Sequence, residues 1–386
     1  MTKKASNENK WSFSSHVDTV SAALSRVLGA VDKRSTIPIL ENIKLDVLLR
    51  GAVQFVATDL EVRAVTEFKA DIPGAGGDAC VPAELLKGVL SRLHGDVTFT
   101  LHNDMRLVIE GGDRHFEIAC FPACEFPDPD CHWGPAVCHF APGILPRLLR
   151  SVNHAMCQDH QKNNLCGVYL CQEDGRLTAV ATDGHRLSIS GLVVDGVDLL
   201  SGFLIPSKAV RILSGIETGI CVYTEDEAGG SQVYFEAGGF DLTVRLIGGD
   251  FPAYRRVVPS DHDQFFNVEA SSLAEATEDV AVVNEGKSRS VSIEAPESLH
   301  GEGLEVSALG ANGVAKASVP CIGGEGYSLM ANSSYLVKAL KAFDGEIFIK
   351  YGGDSPAMLL VPVDHTGFDE RLEVVMPYGS PQTKCD

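Results

Sequence analysis

The chain is written three times. An Ala-Thr-Asp triplet at Ala57-Thr58-Asp59 returns at Ala181-Thr182-Asp183, 124 residues on, and Phe126-Pro127 returns as Phe251-Pro252, 125 residues on. One more step of 125 lands on Met376-Pro377. A basic amphipathic segment that begins at Pro82 has counterparts beginning at Pro206 and Asn332. A period of this length is too long for a solenoid turn or a propeller blade and long enough for a domain with its own core. Three copies nearly fill the 386 residues. The expected organisation is an N-terminal extension over 1–12, repeated domains over 13–135, 136–259 and 260–378, and a C-terminal tail over 379–386. Three equal domains suggest an assembly built by symmetry more than a single catalytic cleft.

Each copy reads as two helices and many short strands. Val17, Val20, Leu24, Val27, Leu28 and Val31 make a helical stripe over 16–31, matched by Leu145, Leu148, Leu149 and Val152, and more weakly by Leu273, Ala276 and Val280. A strand-like stretch follows each, over 39–47, 165–170 and 291–294. A second helix starts after Pro82 and Pro206, with proline in the first turn, and Asn332 suits the N-cap of the third. Their stripes are Leu85, Leu86, Val89, Leu90 and Leu93; Val210, Leu213 and Ile216; Leu336, Leu340 and Phe343. Alternating runs such as 97–101, 106–110 and 232–236, broken by glycine-rich turns, predict antiparallel sheet. The expected class is α+β, with two helices packed on antiparallel sheet in each copy.

The net charge of −20 argues against a protein that coats nucleic acid. The second helices nevertheless carry cations opposite their apolar stripes: Lys208 with Arg211 and Lys338 with Lys341, one helical turn apart, and Lys87 with Arg92 more loosely. The first helix of copy two adds Arg147 and Arg150. One such pair is ordinary solvated helix surface, but recurrence at equivalent places describes a sorted surface. Hydrophobic content of 45% and charged content of 22% are those of a globular protein. No apolar run reaches the roughly 18 residues of a membrane span, and the opening MTKKASNENK lacks a signal-peptide core, so a cytoplasmic protein without a membrane partner is expected. Eleven cysteines scattered through a long chain fit reduced thiols better than a disulfide framework.

Two clusters carry candidate chemistry. Thr182-Asp183-Gly184-His185-Arg186 puts an acid, a base and a cation in a row, yet Asp-Gly is also a common tight-turn pair between strands. Cys120, Cys124, Cys131, His132, Cys138 and His139 could supply zinc ligands, but their spacing contains no CxxC, and Cys120 and Cys138 fall in apolar alternation where cysteine acts as a small core residue. Phosphate-loop, zincin and nucleophile-elbow motifs are absent. The run Gly74-Ala75-Gly76-Gly77, followed by acid and no lysine, reads as a flexible turn. No catalytic residue, metal or cofactor is expected.

Further motifs are distinctive in order: 33–40 (KRSTIPIL), 57–61 (ATDLE), 181–187 (ATDGHRL), 249–259 (GDFPAYRRVVP) and 374–377 (VVMP). Together they resemble the bacterial β sliding clamp family, the processivity subunit of DNA polymerase III, from Phe13 to Pro377. The resemblance implies a DNA-clamp fold and a head-to-tail homodimer. Two chains of three domains would make a ring around duplex DNA, with helices lining the hole and sheets forming the outer wall. It implies a non-catalytic, nucleoid-associated protein that tethers replicative and repair polymerases. Its partners would be double-stranded DNA, the polymerase III α subunit, the clamp loader, and other polymerases and repair proteins, the proteins docking through short peptides. The peptide pocket would be walled by Leu165, Thr182, Gly184, His185, Arg186, Leu187, Pro252, Arg256, Val257, Val374, Met376 and Pro377. DNA would face Arg34, Lys87, Arg92, Arg147, Arg150, Lys162, Lys208, Arg211, Lys338 and Lys341. A ring holds DNA by topology, so a net acidic chain is compatible with the role, and a tight phosphate grip would oppose sliding.

The chain departs from the family pattern in places. Lys162-Asn163-Asn164 stands where Arg-Tyr-Tyr is common, Glu275, Glu278 and Asp279 make the first helix of copy three acidic, and Tyr378 opens a tail. Two rival readings are a divergent clamp-like scaffold that does not encircle DNA and a metal-dependent hydrolase using Asp183 and His185.

Overall fold

The computed structural model describes residues 9–128, 133–194, 202–225, 231–284, 289–295, 303–311, 313–364 and 367–378. Six α-helices appear among them, two in each sequence copy: α1 (Val17–Val27), α2 (Ala83–Leu90), α3 (Ile144–Val152), α4 (Ser207–Leu213), α5 (Ala270–Ala281) and α6 (Ser333–Leu340). The apolar stripes read from the sequence are largely the buried faces, with Val17, Val20, Leu24 and Val27 on α1, Leu273, Ala276 and Val280 on α5, and Leu336 and Leu340 on α6; on α2 Leu86, Val89 and Leu90 are buried but Leu85 is exposed. Asn332 caps α6, its side chain accepting from the N–H groups of Ser334 and Tyr335 and so satisfying two donors that the helix start would leave open.

The chain forms two compact units, Met1–Pro146 with Lys208–Leu246, and Arg147–Ser207 with Ile247–Asp386. The division runs through the second sequence copy, inside α3 and at the start of α4. The first unit holds two antiparallel sheets. One has eight strands in the order Gly77–Pro82, Asn42–Leu48, Ala52–Thr58, Val62–Lys69, Phe240–Arg245, Gln232–Glu236, Ile220–Thr224 and Ala136–Phe140. The other orders Asn9–His16, Asp96–His102, Arg106–Gly111 and Arg114–Ala119. Strand Val62–Lys69 of the first copy pairs directly with Phe240–Arg245 of the second, Thr66 opposite Phe240 and Val62 opposite Val244. Aromatic rings fill this core: Phe13 stacks on Phe99 at 4.6 Å, and Phe55 meets Phe68 edge-on at 5.1 Å.

The second unit repeats the plan. Nine antiparallel strands run in the order Phe203–Pro206, Gly167–Glu173, Arg176–Thr182, Arg186–Val193, Glu370–Val375, Met358–Pro362, Glu346–Tyr351, Gln264–Glu269 and Cys321–Gly323. A smaller sheet orders Gly313–Val319, Leu304–Gly310, Ser290–Glu294 and Ser328–Asn332. Copy two meets copy three in the large sheet where Arg186–Val193 pairs with Glu370–Val375.

Three local expectations need correction. The first strand of copy one begins at Asn42, because Pro38 starts a 3-10 turn over Pro38–Glu41. Leu165 ends another such turn, His160–Leu165, and the strand begins at Gly167. Gly76 and Gly77 are positions of close packing: a Cβ on Gly76 would lie 2.4 Å from Val47 O and one on Gly77 2.5 Å from the Trp11 ring. Gly167 is similar, its missing Cβ 2.2 Å from Ile205 O on the neighbouring strand. Gly167→Ala should therefore lower stability by about 1–3 kcal/mol in urea titration, whereas Gly248→Ala, which meets nothing within 4 Å, should stay within about 0.5 kcal/mol of the parent.

Candidate partner-binding site and basic helices

In the second unit, the turn between strands Arg176–Thr182 and Arg186–Val193 is built by side chains bonding back to the backbone. Thr182 Oγ1 donates to Arg186 O at 2.6 Å and accepts from Gly184 N–H at 3.1 Å. Asp183 Oδ1 accepts from the N–H groups of His185 and Arg186 at 2.9 and 3.2 Å. Gly184 takes φ +91°, a conformation only glycine enters freely. Copy one makes the same turn: Leu60 N–H donates to Thr58 Oγ1 at 3.0 Å, and Asp59 Oδ1 accepts from the N–H groups of Glu61 and Val62. There, however, Leu60 occupies the left-handed position at φ +77°.

Strand register brings this turn to the chain end. Leu187 pairs with Val374, Arg186 with Val375, and Met376 N–H donates to His185 O at 3.0 Å. Leu187 and Val374 are buried together with Val180, Ile189, Tyr254 and Leu359. Phe251 packs on the edge of that cluster and on a smaller one of Leu165, Cys157 and Cys166. It also stacks on Tyr169 at 4.9 Å. Leu165, the turn at 182–187, the 251–258 segment and Val374–Pro377 thus meet in one region. Leu165, Leu187 and Val374 are buried, while Met376 and Val257 keep 40% and 56% of their surface exposed. Gly184, His185, Pro252 and Arg256 are exposed as well. The chain end is pinned: Pro377 bridges to Ala331, and Tyr378 N–H donates to Met330 O at 2.7 Å. The rest of the tail, 379–386, lies outside the described residues.

Arg186 has a different place from the other residues of its turn. It is 5% exposed, its Nε donates to Asp183 Oδ2 at 3.0 Å, and its guanidinium lies 4.8 Å over the ring of Tyr335 on α6. The His185 ring stacks on the same tyrosine at 5.9 Å. Asp183 is occupied by Arg186 and two backbone donors, and His185 by Tyr335, so the two do not form an acid–base dyad. Tyr335 was not foreseen; its partners are about 150 residues away in sequence, and nothing local announces them.

Arg255, between Tyr254 and Arg256, clamps the segment. Its guanidinium donates to Glu173 at 3.0 and 3.1 Å and to Glu370 at 2.5 and 3.0 Å, and Tyr254 Oη donates to Glu173 at 2.5 Å. The bond from Arg255 holds the Glu370 carboxyl below its usual range against the opposing effect of burial. A carboxyl whose folded pKa is depressed stabilises the fold above its unfolded value, about 4.3, and loses that contribution as pH falls through the folded one. Arg255→Met should therefore be less stable than the parent at pH 7, with the gap closing below about pH 4. Urea midpoints measured across that range would check this, and a gap independent of pH would refute it.

The predicted DNA-facing cations fall into groups. Arg34, Lys87, Arg92, Arg147, Arg150, Lys162, Arg211, Lys338 and Lys341 are exposed. Arg147 lies 5.1 Å over the Phe368 ring, and Lys341 pairs with Glu278 of the acidic helix α5 at 2.6 Å. Lys162 Nζ lies 3.8 Å from the place a Cβ on Gly184 would take, beside the turn. Lys208 is engaged inside the first unit, donating to Asp59 Oδ2 at 2.5 Å and to Ala30 O and Val31 O at 3.0 and 3.3 Å. Its ammonium closes the copy-one turn, the place Arg186 takes in copy two. Burial pushes the thiols of Cys120 and Cys138 up to about 12; Cys138 is a core residue and Cys120 is half-buried, while Cys124 and His139 are exposed. Cys131 and His132 lie outside the described residues.

Comparison with known proteins identifies the family. The family models of the DNA polymerase III β subunit match in two parts, the N-terminal domain over 12–130 and the central domain over 141–253. The β sliding clamp of Pseudomonas putida is 28% identical over 359 residues, 92% of this chain and 96% of its own. That of Caulobacter vibrioides is 31% identical over 281 residues, 70% of this chain and 74% of its own. Among solved structures, the DnaN sliding clamp of Bartonella birtlesii, bound to griselimycin, superposes with a TM-score of 0.84 at 27% identity, covering 96% of this chain and all of that one. The β sliding clamp of C. crescentus gives 0.84 at 26% identity over 96% of this chain and 99% of its own. The chain belongs to the family of DNA polymerase III β subunits, the bacterial β sliding clamps.

Proposed function

We propose that this chain is the sliding clamp of a replication machinery: a non-catalytic processivity factor that closes with a second copy into a ring around duplex DNA and holds polymerases there through a peptide pocket. The observation that supports the reading is the register of Leu187 on Val374, which brings the turn at 182–187 to the chain end, where Met376 is exposed. Converging apolar anchors with a few polar groups are the usual make-up of a peptide site. The three sequence copies act as three domains, 13–135, 136–259 and 260–378, and the dimer forms head to tail. Edge strands are the natural joining surface, and Arg114–Ala119 and Gly313–Val319 each end a sheet. Double-stranded DNA is held without sequence preference by exposed helix cations. The protein partners are the polymerase III α subunit, the clamp loader, and other polymerases and repair proteins. No helix among the described residues is long and apolar enough to cross a membrane, and the proposed location is the cytoplasm, at the nucleoid.

The test is topological. Protein loaded on nicked circular DNA should stay bound through gel filtration and be released when the circle is cut. Release that ignores linearisation favours a scaffold that does not encircle DNA. Replacing Arg147 and Arg150 with glutamate should cut loading or retention by about tenfold while peptide affinity is unchanged, since the attraction to phosphate is reversed. Retention equal to the parent would refute the assignment of these two arginines to the DNA-facing surface.

A further inference from the structure

We propose that Cys157 and Cys166 are a reversible thiol–disulfide pair that ties off the loop carrying Lys162 and Leu165. The loop leaves and returns at one point: Cys157 N–H donates to Leu165 O at 3.0 Å. That bond holds the two cysteine backbones side by side, as a disulfide requires. Both sulfurs face the same carbonyl, Asp159 O, at 3.8 Å from Cys157 and 3.2 Å from Cys166. Each is buried in the small cluster with Leu165, yet Gln158, Asp159, Gln161, Lys162 and Asn163 of the intervening loop are exposed, and its one 3-10 turn is kinked at Lys162. Local opening of such a segment is easy, and it admits a small oxidant.

The two thiols have distinct roles. Cys157 Sγ accepts from Asp159 N–H at 3.4 Å, whereas Cys166 Sγ donates to both Asp159 O and Lys162 O. With a low-molecular-weight disulfide as oxidant, Cys157 loses its proton and attacks one oxidant sulfur, giving a mixed disulfide and releasing one thiolate. Cys166, deprotonated in turn, attacks Cys157 Sγ, forms the internal bond and releases the second thiolate. The two protons end on the released thiols, and two electrons pass from the protein sulfurs to the oxidant. Because Leu165 precedes Cys166, the bond also shifts a pocket wall; that consequence rests on the function proposed above.

Full-length protein titrated with oxidised glutathione, quenched in acid, alkylated under denaturing conditions and mapped by mass spectrometry tests the pair. At the oxidant level that converts exposed Cys124 to its mixed disulfide, Cys157 and Cys166 should be found joined to each other, reversibly with dithiothreitol and not in Cys157→Ser. Recovery of both as alkylated thiols, as stable mixed disulfides, or paired elsewhere would overturn the proposal. Amide exchange across 158–165 should slow about tenfold on oxidation, and unchanged exchange would overturn the locking of the loop. Affinity for a polymerase-derived peptide should fall about fivefold in the oxidised form. Reduced protein that binds no peptide would refute the pocket, while the linkage stands or falls on the mass map alone.

Discussion

Arg371→Leu should destabilise the protein by about 3–5 kcal/mol, the largest effect expected of any single substitution here. Glu373 is wholly buried, and its carboxylate is held by Arg371 at 3.1 Å, by Ser188 Oγ at 2.6 Å and by His154 Nε2 at 3.1 Å. The Arg371 guanidinium also donates to Ala342 O at 3.2 Å and to Ser190 Oγ, and lies 5.2 Å over the Phe343 ring. Burial pulls the guanidinium down from the usual arginine range while Glu373 opposes the shift. Removing the cation leaves a buried carboxylate with only Ser188 and His154 beside it, and that penalty exceeds what the pair itself contributes. The double variant Arg371→Leu with Glu373→Gln should therefore recover a large part of the loss. Urea titration of the four proteins in the cycle measures the coupling, and additive effects would show that the charges are independent.

Met376→Ala should weaken binding of a polymerase-derived peptide by more than about tenfold, on the order of 2 kcal/mol or more, with the oligomeric state unchanged in sedimentation. Met376 is tied to the turn through His185 O, so its backbone position does not depend on its side chain. What the substitution removes is a half-exposed, flexible and polarizable side chain of the kind that accommodates several partners. Calorimetry returning the parent affinity would mean that Met376 only closes the end of the sheet.

Periodicity was enough to find the helices and most strands, because each buries one face and the buried positions recur at the helical or strand repeat. The cap at Asn332 and the Asp183-Gly184 turn were legible for a different reason: their bonds close within three residues. Burial of Arg186 was not legible, because the ring it lies under comes from α6. The roles of Arg371 and Glu373 were hidden likewise, although opposite charges two apart on a strand are a signal when both side chains share a face with Val375. The departure at 39–47 followed from Pro38, whose fixed backbone angle outweighed the β-forming residues after it. Lys208 looked like a surface cation at helical spacing, and only the fold reveals that Asp59 lies within its reach.

Because strand Val62–Lys69 finds its neighbour in Phe240–Arg245, the sheet does not stop where the sequence repeat does. A gene segment cut at the sequence period, ending near residue 135, would encode a chain whose sheet stops at Val62–Lys69 with a row of amide and carbonyl groups facing nothing. Such an edge recruits whatever strand is nearest, including another copy of itself. A lineage that grew by adding a third copy thus had to close an open edge at each step. The same logic bears on anyone dissecting the protein today: fragments that keep each sheet whole must join two stretches of chain that the gene keeps apart.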